Sequence, residues 1–176
     1  LLKLDFIFPE ENPNDFNFDI KIIYNFSSGP IVKVKQLSKS PYFITQGNDS
    51  NTFLYNIKAS NFLFDKTKLQ SDLEIKSTCC DYCPRESESD PIIMALGYDV
   101  GVLRIYQFDS EKMKLNLLTQ LRAHEQEIKK ILFSPDKSYL MTITKVEIFI
   151  FIIDDFNKII PFCSVKKNYN IIDADW

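Results

Sequence analysis

The sequence predicts an all-β chain built from a repeated antiparallel unit, and three observations carry that prediction. Apolar residues recur with a period of two. Helical periodicity is nearly absent. Short strand-like runs, separated by turns rich in Gly, Pro, Asn and Asp, recur in the same order three times. Composition agrees: of 176 residues 45% are hydrophobic and 14% aromatic, enough to bury a core. Four glycines and four alanines (Ala59, Ala95, Ala123 and Ala174) are a poor supply for helical surfaces or for phosphate-cradling loops.

The elements follow in order. Phe16, Phe18, Ile20 and Ile22 alternate with Asn17, Asp19 and Lys21, which predicts a half-buried strand ending near Asn25. The turn Ser27-Ser28-Gly29-Pro30 leads into a strand over 31–37. A second strand, 41–45, precedes the turn Gly47-Asn48-Asp49-Ser50, and 53–57 closes the unit. The second unit has strands over 73–80 and 92–96, a turn at 97–101 and a strand over 102–108. Residues 111–122, with Met113, Leu115, Leu117, Leu118 and Leu121, are the best helical candidate and also fit a strand reached by a polar loop. The third unit runs 128–133, the turn Ser134-Pro135-Asp136-Lys137, then 139–144 and 147–153.

Charge narrows the function classes. Lys and Arg number 21 against 24 Asp and Glu, a net charge of −3, which disfavours nucleic acid as a partner. The acid excess sits in residues 81–90, where Asp81, Glu86, Glu88 and Asp90 oppose Arg85. The pairs Lys129-Lys130 and Lys166-Lys167 read as solvated strand edges. No run of about 18 apolar residues exists, so no membrane span is expected. Starting at Leu1 without an initiating Met suggests an excerpt of a longer chain.

Catalytic and metal chemistry find no constellation. There is a single histidine, no nucleophile elbow and no phosphate-binding lysine motif, so the expectation is no enzyme, no cofactor and no small-molecule substrate. Cys79, Cys80 and Cys83 crowd together, but adjacent Cys79 and Cys80 in a strand point to opposite faces. Reduced thiols, Cys163 included, are expected rather than a zinc site or disulfides. Asp154-Asp155 reads as a turn between outer strands rather than a calcium ligand pair, and Asp173 and Asp175 suggest no metal either.

The third unit carries the most specific pattern. His124-Glu125-Gln126-Glu127-Ile128-Lys129-Lys130-Ile131-Leu132-Phe133-Ser134-Pro135-Asp136 resembles the inner-strand motif of WD-repeat β-propellers, His-x-x-x-Val-x-x-Val-x-Phe-Ser-Pro-Asp. Gly97-Tyr98-Asp99-Val100-Gly101-Val102-Leu103-Arg104-Ile105-Tyr106 is similar to the family's Asp-Gly-Thr-Val-Arg-Ile-Trp. Asp49 to Asn56 ends in Tyr55-Asn56 where Trp-Asp is usual. Tyr55, Tyr106 and Phe151 stand about 50 and 45 residues apart, against a family period of about 40–45, and the 81–90 stretch accounts for the excess as a long hairpin loop.

The resemblance implies about three four-stranded antiparallel blades of a β-propeller, incomplete without the rest of its chain. It divides the sequence into outer strands of a preceding blade (1–26), blades over 27–70, 71–122 and 123–165, and the first strand of a next blade (166–176), where Trp176 would pack as an inner-strand aromatic. Asp49, Tyr55, Gly97, Asp99, Gly101, Tyr106, His124, Ile131, Phe133, Ser134, Pro135 and Asp136 would then be structural repeat positions.

Departures from the pattern matter. In the family a His before the inner strand bonds an Asp in a turn of the same blade. Here Lys145 and Val146 occupy that turn after His124, Ser27 stands at the His position before Asp49, and Val100 takes the Asp position with Asp99 one step early. The expectation is that no blade completes the network, that apolar packing compensates, and that His124 is a surface or half-satisfied loop residue.

A narrower resemblance lies toward the C-terminal end. Glu147 to Ile153, Asp154-Asp155, Ile159-Ile160-Pro161-Phe162 and Ile171 to Trp176 follow the Gly97 to Ile105 pattern in an order similar to the large WD-repeat cilia- and flagella-associated proteins, those of an inner-dynein-arm tether or tether head. That resemblance implies a non-enzymatic scaffold in the axoneme, with dynein or other axonemal subunits as partners and a cytoplasmic, cytoskeletal location. A cytosolic WD-repeat adaptor in trafficking, RNA processing or ubiquitin transfer is the alternative. Within either, Glu86, Glu88 and Asp90 are the candidate partner contacts, as an acidic arm with Ser87 and Ser89 open to phosphorylation. The plainer reading of 81–90 is a disordered, solvated insertion.

Overall fold

A computed structural model describes residues 2–7, 17–22, 30–37, 40–47, 52–56, 75–109, 111–112 and 114–176. Every regular element among them is a strand. β1 (Leu2–Ile7) and β2 (Asn17–Ile22) pair as an antiparallel hairpin, with Leu2 opposite Ile22 and Ile7 opposite Asn17. Three sheets follow, each a meander of sequence-adjacent antiparallel strands. The first contains β3 (Ile31–Gln36), β4 (Tyr42–Gly47) and β5 (Thr52–Asn56). The second contains β6 (Ser77–Tyr82), β7 (Ile92–Tyr98), β8 (Val102–Asp109) and β9 (Lys114–Arg122). The third contains β10 (Lys130–Phe133), β11 (Tyr139–Ile143), β12 (Glu147–Asp155) and β13 (Lys158–Lys166).

The ambiguous run 111–122 resolves as strand β9, because Leu118 and Leu121 pack on a neighbouring sheet as its outermost strand. Expected and observed strand limits differ most at β6, which begins at Ser77 and continues through Asp81 and Tyr82. Asp81 therefore belongs to a strand, and the hairpin loop behind it is residues 83–91.

Sheets stack face to face, and the middle one is covered on both faces. Ile92, Met94, Leu96 and Tyr98 of β7 join Tyr106 and Phe108 against Leu37, Tyr42, Ile44 and Leu54 of the first sheet. The alternate residues Ile93 and Ala95, with Leu103 and Ile105, pack against Ile131, Phe133, Leu140 and Phe151 of the third. Successive residues of a strand point to opposite faces, so a strand between two sheets must be apolar throughout. β7 is buried at all seven positions for that reason. Burying each large side chain on these faces contributes roughly 2 kcal/mol before entropy is counted.

On the far side of the third sheet the pattern stops. Phe149, Phe151 and Ile153 of β12 face the second sheet, Phe151 fully buried, whereas the alternate Ile148, Ile150 and Ile152 are half-buried and join neither core cluster. Nearby Ile160 and Phe162 are exposed. Residues 167–176 form no strand, yet they lie along β10: Lys130 Nζ donates to Asp173 Oδ1 (2.6 Å) and to the Ala174 carbonyl (2.9 Å), and Trp176 Nε1 donates to the Leu132 carbonyl (3.2 Å). Trp176 is 43% exposed and rests against Tyr139, which also touches Phe162.

Candidate protein-interaction site

Most of the repeat positions of the second and third units lie at or near the joint between the second and third sheets. Gly101 sits in the β7–β8 turn at φ +77°, a left-handed conformation that favours glycine. A methyl group there would lie 2.0 Å from the His124 carbonyl oxygen. With no side chain in the way, the Gly101 carbonyl accepts from the amides of Ala123 (2.9 Å) and His124 (3.1 Å), which pins the connection between sheets. Gly97 must lack a Cβ for another reason: Cys79 Sγ and Ile128 Cβ would stand 2.7 and 2.9 Å from it. Asp99 closes the same turn: its amide donates to the Lys76 carbonyl (3.0 Å) and its Oδ1 accepts from the Lys76 amide (3.1 Å). Tyr106 is buried in the core shared with the first sheet.

His124 is buried and fully bonded, which corrects the expectation of a half-satisfied loop residue. Nδ1 is 3.0 Å from Glu147 Oε2 and Nε2 is 2.8 Å from Thr142 Oγ1. Glu147, the first residue of β12, lies beyond the turn where an Asp was sought. Its extra methylene carries the carboxylate back to the imidazole. Burial holds the His124 pKa below its ordinary value, against the opposing pull of Glu147. The neutral ring then donates from Nδ1 to Glu147 and accepts the Thr142 hydroxyl at Nε2. The third sheet thus completes a polar network that the sequence patterning had denied it.

The Ser134-Pro135-Asp136 turn is similarly self-contained. Ser134 Oγ donates to Asp136 Oδ1 (2.5 Å) and accepts from the Tyr139 amide (2.9 Å), and Lys137 takes φ +67°. Ile131 and Phe133 are buried against the second sheet. Tyr55 falls in β5 opposite Phe43, whereas Asp49 lies outside the described residues.

Asp81 links three sheets. It is 3% exposed, accepts the Phe133 amide of β10 at 2.9 Å through Oδ2, and pairs through Oδ1 with Lys35 of β3. Lys33 Nζ reaches the neighbouring Cys80 carbonyl at 2.5 Å, and Thr78 Oγ1 the Ile128 carbonyl at 2.5 Å. Cys79 and Cys80 do face opposite sheets. Burial raises all three clustered thiols, Cys79 to about 12 and Cys83 to about 11, which keeps them protonated at neutral pH. Among the described residues no group of three or more His, Cys, Asp or Glu side chains is placed to hold a metal ion.

Loop 83–91 is hydrogen-bonded within itself and paired with the third sheet, where a disordered, solvated insertion was expected. Arg85, buried, donates Nε to the Asp90 carbonyl (3.0 Å) and a terminal nitrogen to the Glu88 carbonyl. Asp90 folds back to accept the amides of Glu86 (2.8 Å) and Ser87 (3.2 Å) and the Ser87 hydroxyl (2.8 Å). These bonds lower its pKa to about 2. Lys137, from the third sheet, pairs with Glu86 at 2.9 Å and Asp90 at 3.7 Å. Of the three candidate contact residues, Glu86 and Asp90 are thus engaged internally, and Glu88 projects outward.

Comparison with known proteins shows the class of fold. The chain matches the β-propeller domain of Cps50 (Swd1) from Myceliophteria thermophila with a TM-score of 0.58 at 13% identity, over 80% of this chain and 48% of that one. A chain of the mitotic checkpoint complex matches with a TM-score of 0.64 at 12% identity, over 86% of this chain and 42% of that one. The stacked meanders are therefore blades of a β-propeller, and the chain spans less than half the length of either structure it resembles. No protein-family model matches the chain, and neither does any curated protein.

Proposed function

We propose that this chain is part of a non-enzymatic WD-repeat scaffold that binds other proteins through its loops and inter-blade surfaces. The observation that carries this reading is the bonding of loop 83–91. Cross-braced internally by Arg85 and tied to the next blade by Lys137, it presents Glu88 from a folded base. Preorganised surface binds with less ordering cost than a flexible one. The sequence likeness to cilia- and flagella-associated WD-repeat proteins supports the axoneme as the assembly, with dynein or its regulators as partners. In a ciliated cell expressing a tagged copy, the protein should remain with demembranated axonemes and be released with dynein-arm components. Recovery entirely in the cytosolic extract, with coat, spliceosomal or ligase subunits, would overturn the axonemal reading in favour of a cytosolic adaptor.

A further inference from the structure

Between the first and second blades, on the face that carries loop 83–91 and the β8–β9 turn, lies an open cleft of about 580 Å³. That volume suits a short peptide segment. Its floor is apolar and comes from both blades: Tyr42 and Phe108 meet edge to face with ring centroids 5.2 Å apart, and Ile92 lies beside them. Its rim is acidic, from two separate loops. Asp90 and Asp109 spend their carboxylates locally, Asp109 on the amides of Glu111 (3.1 Å) and Lys112 (3.0 Å). Glu88 and Glu111 do not. Both are exposed, and among the described residues neither forms an ion pair.

We infer that this cleft receives a lysine or arginine side chain from an extended basic segment of a partner protein. Resting on the scaffold reading above, the inference names the chemistry of what the scaffold holds. A long cationic side chain lays its methylenes on apolar surface while its head stays near polar groups. Here the methylenes would cover Tyr42, Phe108 and Ile92, and the head would stand between Glu88 and Glu111. Glu88 and Glu111 come from separate loops of the same cleft, so a bound cation would stand in the field of both. Arg85 also lines the cleft, with its guanidinium turned onto the Asp90 and Glu88 carbonyls.

A fluorescein-labelled nonamer of alternating Arg and Ala, and the same nonamer with citrulline for Arg, test the inference on the 176-residue protein. Anisotropy titrations compare wild type, a Glu88→Gln/Glu111→Gln variant and an Asp154→Asn/Asp155→Asn control on an exposed turn away from the cleft. Binding of the Arg peptide, at least tenfold weaker for the citrulline peptide and at least fivefold weaker for Glu88→Gln/Glu111→Gln, with the control unchanged, supports the cleft. Equal weakening by the control, or no weakening by Glu88→Gln/Glu111→Gln, overturns it. Failure here is distinguishable from failure of the scaffold reading, which is decided by axonemal retention and needs no peptide.

Discussion

The two joints between blades are made of different materials. Between the second and third, the main chain itself is closely approached: Gly101 leaves out a Cβ that would collide with the His124 backbone, Gly97 one that would collide with the Ile128 and Cys79 side chains, and the carbonyl of Gly101 holds the connection. Between the first and second, side chains span the gap, with Lys33 and Lys35 reaching β6, Gln46 and Thr52 meeting Ser77, and Tyr42 set edge-on to Phe108. A backbone joint has no slack, because removing or adding one atom moves the main chain. A joint of side chains can yield, and it leaves room for a cleft beside it. The rigid joint should therefore be the sensitive one, and the yielding joint the place for a ligand.

The largest effect should come from Gly101→Ala. The left-handed backbone and the clash with the His124 carbonyl together predict a loss of about 3 kcal/mol or more. Urea unfolding followed by intrinsic fluorescence will register it as a lowered midpoint or as loss of a single transition. An unchanged midpoint would mean that the two blades do not meet there.

Next come the two partners of the ion pair that crosses the other joint. Asp81→Ala strips a buried carboxylate from both Lys35 and the Phe133 amide, and should cost about 3 kcal/mol. Lys35→Met leaves that carboxylate, 4% exposed, without its counter-ion and should cost about 2–3 kcal/mol. An unchanged urea midpoint in either variant would contradict an ion pair across this joint.

A smaller effect is pH-dependent. The folded-state pKa of His124 lies below its unfolded value, so above the unfolded value of about 6.5 both states are neutral and nothing is lost. As pH falls below it, the unfolded state binds the proton first, and stability declines until the folded His124 also titrates. Since the chain has one histidine, His124→Gln should flatten the change in urea midpoint between pH 7.5 and 5.5. A wild-type slope of the opposite sign would contradict a buried neutral ring.

Strand order and repeat were legible because period-two alternation and turn residues are local signals. The third unit was clearest, since Ile131, Phe133 and the Ser134-Pro135-Asp136 turn each act within a few residues. What escaped the sequence was long-range. Glu147 was missed because the network was sought at one turn position, and only geometry shows that a longer acid one step later reaches His124. Asp81 was counted with the loop acids, although it continues the β6 strand. Its partners, Lys35 and Phe133, come from the repeats on either side. The cleft was invisible for the same reason, as Tyr42 and Glu111 belong to different repeats.

The most direct test concerns the amide of Phe133. Phe133 belongs to the inner strand of its blade, and its N–H is satisfied by Asp81 of the neighbouring blade. Native-state hydrogen exchange should show this amide protected in the wild type. In Asp81→Ala, which removes the acceptor, it should exchange much faster, while amides of β7 keep most of their protection. Such a result would establish that the blades stack with inner strand against inner strand. Phe133 exchanging at the same rate in both proteins would contradict the blade arrangement on which the whole account rests.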